Sequence, residues 1–362
     1  MVRALQLAEK ARGRTSPNPM VGAVIVKGNK IIAEGHHEKA GSDHAEVAAI
    51  KKAKGAAKDS CLYVTLEPCC HHGRTPPCTD AIIKAGIKKV VVAMQDPNPL
   101  VSGQGMTLLK RAGITVLRGL LEKEAKKLNE AYYKFVTQKT PFVTLKAALS
   151  LDGKIADSEG VSKWISNETS RLRAHEMRNV NDAVMVGVNT VLKDDPRLNV
   201  RLDKKGVKQP LRVIVDSSLQ TPPGARILHS HGGEVLIATA SGDEKKAREL
   251  EDEGATIINV REKNKKVDLA ELMRELGKRN VLSLLLEGGA AIFSEALKEG
   301  VVDKVALFYA PIILGGASRL TGDASGRSLA KAMTLDCVSF TAVREGGKAR
   351  SENFLVEGYI RR

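Results

Sequence analysis

Residues 67–78 read EPCCHHGRTPPC, which places three of the chain's five cysteines and two of its eight histidines in one short stretch. An odd number of cysteines clustered in a loop does not make a disulfide framework; in a reducing compartment it points to metal binding or catalysis. Cys61 and Cys337 stand apart and read as plain core or surface thiols. Upstream, His44-Ala45-Glu46 opens the amphipathic segment DHAEVAAIKKAK and adds a histidine and a carboxylate. His44, Cys69 behind Pro68, and Cys78 at the mouth of a further helix make three protein ligands. A structural zinc site normally closes with four, whereas a hydrolytic site keeps one position for water. The alternative is a closed site that recruits Cys70, His71 or His72 as the fourth ligand. Both helix N-termini would help, because their partial positive charge favours the thiolate and places Glu46 near the water; the pairing of His44 with Glu46 is what argues against the closed site. A carboxylate that is not a ligand can take the water's proton and hand it to a leaving amine. The general deaminase signature separates its two cysteines by two residues; here eight intervene, with Gly73 and two prolines suited to a fixed excursion.

Working outward, short β-branched runs alternate with helical stretches through the first 137 or so residues. MVGAVIVKG, KIIAEGHH, CLYVTL, KKVVVAMQ and ITVLRG read as strands. Asp43 is placed to cap the HAE helix, Thr79 and Asp80 open TDAIIKAGI, and one long charged helix runs over LLEKEAKKLNEAYYKFVTQ. The breaker KTP at 139–141 ends it, giving an expected division into domains 1–140 and 141–362. A second series follows: FVTLKAALSL, DAVMVGVNTVL, LRVIVDSS, GEVLIATA, ATIINV, VLSLLLEGG and KVALFYAPIIL read as strands, several apolar enough to be covered on both faces. Both halves are therefore α/β.

At 362 residues two domains are the natural expectation. No apolar run approaches the ~20 residues needed to cross a bilayer, and the N-terminal stretch lacks a signal peptide's apolar centre, so the expectation is a cytoplasmic protein with no membrane partner. The net charge of +15 favours anionic partners, either nucleic acid or phosphorylated small molecules. Only 3% of residues are aromatic, so the interleaved basic and stacking pattern of a single-strand binder is missing and no nucleic-acid partner is expected. A lysine-rich surface adapted to high temperature would account for the charge equally well. A nucleic-acid deaminase with a docking module is the competing reading; the cysteine spacing argues against it. Assembly into a homo-oligomer is left open.

TSPNPMVGAVIV (15–26), HAE (44–46), TLEPCCHHGRTPPC (65–78) and DPNP (96–99) together resemble the bifunctional riboflavin-biosynthesis deaminase and reductase family, over essentially the whole chain. The resemblance implies a cytidine-deaminase-like three-layer domain followed by a dihydrofolate-reductase-like α/β domain. It implies zinc held by His44, Cys69 and Cys78, Glu46 as proton shuttle, and phosphoribosylaminopyrimidine substrates. Cys70 departs from the serine more usual there and leaves a spare thiol. Asn18 and Asn98 in the two PNP turns, with His37, Arg74 and Lys146, are candidates for gripping substrate; each is also readable as a turn or surface residue.

In the second half, SLDGKIA, GVSKWIS and the long polar segment 175–201 follow strands, where α/β enzymes build their sites. VLSLLLEGGAAIFSEAL (281–297) runs strand, Gly-Gly, helix, which lets backbone approach a phosphate; without a G-x-G-x-x-G it does not indicate a Rossmann fold. By the same resemblance, NADPH would contact Ala148, Trp164, Thr190, Asp194, Ser217, Gly289, Ala290 and Ala291, and substrate Ser162, Arg178, Leu198, Arg201 and Glu287. Arg178 and Arg201 would grip the ribose 5-phosphate with forked hydrogen bonds. The tandem Asp194-Asp195 can equally cap a turn. The implied reactions are removal of the 2-amino group of 2,5-diamino-6-(5-phosphoribosylamino)pyrimidin-4-one, then reduction of the ribosyl unit to ribityl.

Overall fold

The computed structural model describes residues 1–71, 76–162, 165–316, 319–321, 327–344 and 352–361. The chain divides into two compact units, Met1–Lys139 and Thr140–Arg362.

The first unit runs α1 (Val2–Glu9), β1 (Gly22–Lys27), β2 (Lys30–His36), α2 (Ala45–Lys52), β3 (Cys61–Leu66), α3 (Cys78–Lys84), β4 (Lys89–Met94), α4 (Gln104–Arg111), β5 (Thr115–Arg118), α5 (Glu122–Leu128) and α6 (Glu130–Gln138). Its sheet has the order β2-β1-β3-β4-β5, antiparallel through β1 and parallel from β3 to β5. Alternation along β1 sends Val24 toward Ala4 and Leu7 of α1, and Ala23 and Ile25 into the core shared with α2 and Ile82 of α3. Three layers result, and the parallel strand β3 ends where the cysteine-rich loop begins.

Two sequence expectations fail here for tertiary reasons. The long helix is broken at Asn129, whose side chain accepts from the Met20 N–H (2.8 Å) and donates to the Met20 carbonyl (2.9 Å), a pairing invisible to local periodicity. Asp43 does not cap α2: His44 holds the N-cap position and Asp43 pairs with Lys51 at 2.6 Å.

The second unit runs β6 (Phe142–Ser150), α7 (Glu168–Val180), β7 (Ala183–Gly187), α8 (Val188–Asp194), β8 (Leu211–Val215), α9 (Arg226–His229), β9 (Val235–Thr239), α10 (Glu244–Asp252), β10 (Ala255–Asn259), a ribbon of β11 (Glu262–Lys263) and β12 (Lys266–Val267), α11 (Leu269–Lys278), β13 (Ser283–Gly288), α12 (Ala290–Lys298), β14 (Lys304–Ala310), β15 (Leu335–Val343) and β16 (Asn353–Ile360). The main sheet has the order β10-β9-β8-β7-β13-β6-β14-β16-β15, parallel up to β14 and antiparallel beyond. Met185 and Val213 pack against Leu272 and Leu276 of α11, while Val184 and Ile214 pack on the other side with Ile227 and Leu250. The central strands are thus covered on both faces, which is why they are apolar throughout. The run DAVMVGVNTVL is strand only to Gly187; VNTVL turns into α8, burying Val191. The two C-terminal strands carried no clear signal, since β15 is exposed along most of its length. Among the described residues no helix is long and apolar enough to cross a membrane.

Candidate functional site

His44 ends the loop before α2, Cys69 lies just past β3, and Cys78 is the first residue of α3. Their ligand atoms lie within 4.8 Å of one another. His44 Nδ1 is 3.1 Å from Cys78 Sγ and 3.5 Å from Cys69 Sγ. A tetrahedral zinc with ordinary bond lengths separates such atoms by about 3.6–3.8 Å, so the donor set and its spacing fit that ion. The Cys78 backbone N–H also donates to Cys69 Sγ at 3.3 Å, favouring its thiolate. Hydrogen bonding from Cys78, and then from His44, draws the Cys69 thiol down; the same shared proton pushes Cys78 up. Cys70, also half-buried, lies outside this cluster, and burial pushes its thiol up; His71 is exposed.

Glu46, in the first turn of α2, is 3% exposed. Burial first, and the neighbouring Cys69 second, push its pKa up to about 7, in the range where a carboxylate both takes and gives a proton. His37 lies edge-on to His44 with centroids 5.5 Å apart. Its Nδ1 donates to the Asp43 carbonyl (3.1 Å), which leaves Nε2 to accept from Asn18 Nδ2 (3.1 Å); burial lowers its pKa. Asn98 uses its Oδ1 to accept from the Leu100 N–H, the turn-forming role. Arg74 lies outside the described residues.

Sequence reasoning missed the frame of this site. Glu67, 3% exposed, accepts from the backbone N–H groups of Asp96, Gly103 and Met106 at 3.2, 2.9 and 3.1 Å. Gly105 lies so close that a Cβ would come 2.0 Å from the Pro68 carbonyl oxygen, so only glycine lets α4 pack on the ligand loop. Tyr132 of α6 donates to Asp96 at 3.1 Å, and burial raises Asp96 to about 6. A glutamate two residues before Cys69, between an apolar strand and the cysteine-rich loop, was the available signal for Glu67.

In the second unit a cavity of about 1040 Å³ opens at the C-terminal ends of β6, β7 and β13. Its wall includes Ala148, Thr190 and Asp194, and the Gly289, Ala290 and Ala291 turn into α12. Ser162, Arg178, Leu198, Arg201 and Glu287 line it as well. Gly289 has φ +95°, a left-handed turn that glycine alone adopts readily, and an added Cβ would sit 3.2 Å from Thr190 Oγ1. Ser217 lies away from the lining, with Oγ accepting from the Val267 N–H at 3.1 Å. Trp164 is outside the described residues. The aspartate tandem divides its roles: Asp194 faces Ser162, and Asp195, at φ +40°, accepts from the Arg226 N–H at 2.8 Å.

At the cavity floor Arg178 donates through Nε and Nη2 to the two oxygens of Glu287, and Lys146 Nζ stands 3.7 Å away. Burial opposes ionisation of Glu287, yet Arg178, with a smaller contribution from Lys146, holds its pKa down at about 2. Burial lowers Lys146. Arg178, the arginine expected to grip phosphate, thus has its Nε and Nη2 on Glu287.

The RibD C-terminal domain family matches residues 141–348, and the cytidine and deoxycytidylate deaminase zinc-binding region matches residues 1–94. The riboflavin biosynthesis protein RibD of Aquifex aeolicus is 46% identical over 92% of each chain. The chain belongs to the RibD family. RibD of Escherichia coli is 41% identical over 88% of this chain and 89% of its own. A solved structure of a diaminohydroxyphosphoribosylaminopyrimidine deaminase/5-amino-6-(5-phosphoribosylamino)uracil reductase from Thermotoga maritima matches with TM-score 0.85 at 40% identity, covering 100% of this chain and 97% of that one. Acinetobacter baumannii RibD matches with TM-score 0.88 at 37% identity, over 100% and 98%. The RibD-family chain is accordingly a bifunctional enzyme of riboflavin biosynthesis, with a zinc-binding type of deaminase domain followed by a reductase domain suited to a nicotinamide cofactor.

Proposed function

We propose that the first unit deaminates 2,5-diamino-6-(5-phosphoribosylamino)pyrimidin-4-one at C2, with His44, Cys69 and Cys78 as the zinc ligands. The observation that carries this is the buried Glu46 beside a cluster of three ligand groups that gains no fourth among the described residues. Zinc held there supplies the Lewis acidity that makes water a nucleophile near neutral pH. Glu46 takes the proton released as the C2–O bond forms and delivers it to the amine as the C2–N bond breaks, releasing ammonia. Asn18, whose Nδ2 is held by His37, would offer its Oδ1 to a donor on the substrate; Asn98 shapes the second PNP turn.

The second unit reduces the ribosyl product to its ribityl form. NADPH supplies the hydride, and the Gly289–Ala291 turn at the start of α12 offers backbone N–H groups to its pyrophosphate. Thr190, Asp194 and Ala148 line the cofactor side of the cavity; Ser162, Leu198, Arg201 and Glu287 line the substrate side. Arg178 keeps Glu287 ionised and oriented. Adding the diaminopyrimidine phosphate with and without NADPH tests both steps. Ammonia release without NADPH, followed by NADPH oxidation that depends on prior deamination, supports the reading. Ammonia released only from single-stranded DNA or tRNA would sink it.

A further inference from the structure

We propose that Asn129 and Tyr132, at the start of α6, are positioning residues for the deamination step: they hold at a fixed spacing the two PNP turns that carry Asn18 and Asn98. The inference rests on the deaminase reading above and goes beyond it by naming what keeps those turns in place.

Both turns border the His44, Cys69 and Cys78 cluster. His37, which accepts from Asn18 Nδ2, lies edge-on to His44, and the charge of Cys69 reaches Asp96, the residue that opens the second turn. Each turn carries two prolines, Pro17 and Pro19 in the first and Pro97 and Pro99 in the second, and a proline has no backbone N–H to donate. Segments so short of donors depend on side chains from elsewhere to hold them.

Asn129 and Tyr132 supply those side chains within one helical turn. Asn129 is the N-cap residue of α6, where an asparagine ordinarily accepts from the first N–H groups of the helix; its side chain makes no such bond. Instead, 2% exposed, it accepts from the Met20 N–H and donates to the Met20 carbonyl, a two-bond clasp on the residue that follows the first PNP. Tyr132 reaches the second turn: its hydroxyl donates to Asp96 Oδ1 at 3.1 Å, and Asn98 hydrogen-bonds the same hydroxyl through its side chain. Asp96 Oδ1 also accepts from the Asn98 N–H at 2.8 Å, so the phenol closes a ring of hydrogen bonds around the turn. A helix that merely covered the sheet would keep its cap and would need no buried hydroxyl at this position.

The test is steady-state ammonia release from the diaminopyrimidine phosphate by the full zinc-loaded chain, as wild type, Tyr132→Phe and Asn129→Ala. Tyr132→Phe keeps the ring and its packing and removes only the hydroxyl. Each variant should raise KM about three- to tenfold, the worth of a hydrogen bond or so lost from the grip on substrate, with kcat within about twofold. Zinc content and NADPH oxidation of the deaminated substrate should stay at the wild-type level. A purely structural role would lower the melting temperature and the amount of active enzyme, and hence the apparent kcat, while leaving KM alone. Unchanged KM in Tyr132→Phe overturns the proposal, even where Asn129→Ala fails to fold, and so does a fall in kcat at constant KM. If the wild type releases no ammonia from this substrate, the deaminase reading falls and the brace with it; normal wild-type release with unaltered variants removes the brace alone.

Discussion

Arg178 Nη2 lies 2.9 Å from Glu287 Oε2, and the two residues, 109 positions apart in sequence, form a side-on pair whose side chains are 14% and 5% exposed. Removing one member leaves a buried charge without its partner. Glu287→Gln or Arg178→Met should therefore cost about 3–5 kcal/mol in denaturant unfolding of the second unit, and the double variant clearly less than the sum. Additive losses would show that the pair is uncoupled.

The pH response of the second unit should carry the signature of His175. Burial, then Arg178 and Arg201, depress its pKa to about 4, while Glu287 pulls the other way; its Nδ1 accepts from the Arg201 N–H. In the unfolded chain a histidine titrates near 6.5. The unfolded state therefore binds the proton first, so stability is full above about 6.5 and falls as pH drops toward 4. Melting temperatures of wild type and His175→Gln, compared at pH 7.5 and 5, should show the steeper decline in wild type.

Metal content should separate the loop thiols. Cys69→Ser and Cys78→Ser are expected to lose about one zinc per chain, whereas Cys70→Ser retains it. Elemental analysis of the purified proteins reads this directly, and zinc loss in the Cys70 variant would return that thiol to the ligand set.

Glu46→Gln preserves shape and removes the proton acceptor. Deamination should fall by about 10²–10⁴-fold with zinc content and NADPH oxidation of the deaminated substrate unchanged. A variant that loses zinc as well would assign Glu46 to the metal rather than to the proton.

The clustering of His44, Cys69 and Cys78 was legible because histidine, cysteine and a helix-borne glutamate at restricted spacing have few other uses. The strands were legible from their β-branched runs, and both-face burial from their continuity. What escaped was long-range. Asn129 breaks a helix because Met20 is beside it, and Val188 to Asp194 turn helical because Val191 finds a core. Asp43 prefers Lys51 to a cap. Glu287 engages the arginine fork that the sequence had assigned to phosphate, and no local pattern encodes that pairing.

Glu67 draws backbone from three points of the β4–α4 segment onto one carboxylate, two residues from Cys69. The chain leading into Cys69 is therefore held by the polypeptide itself, and the entropic cost of placing it falls on folding rather than on capture of the ion. Such a centre can release and reload its metal with the surrounding architecture standing, so a chelator should act on this protein as a reversible inhibitor and not as a denaturant.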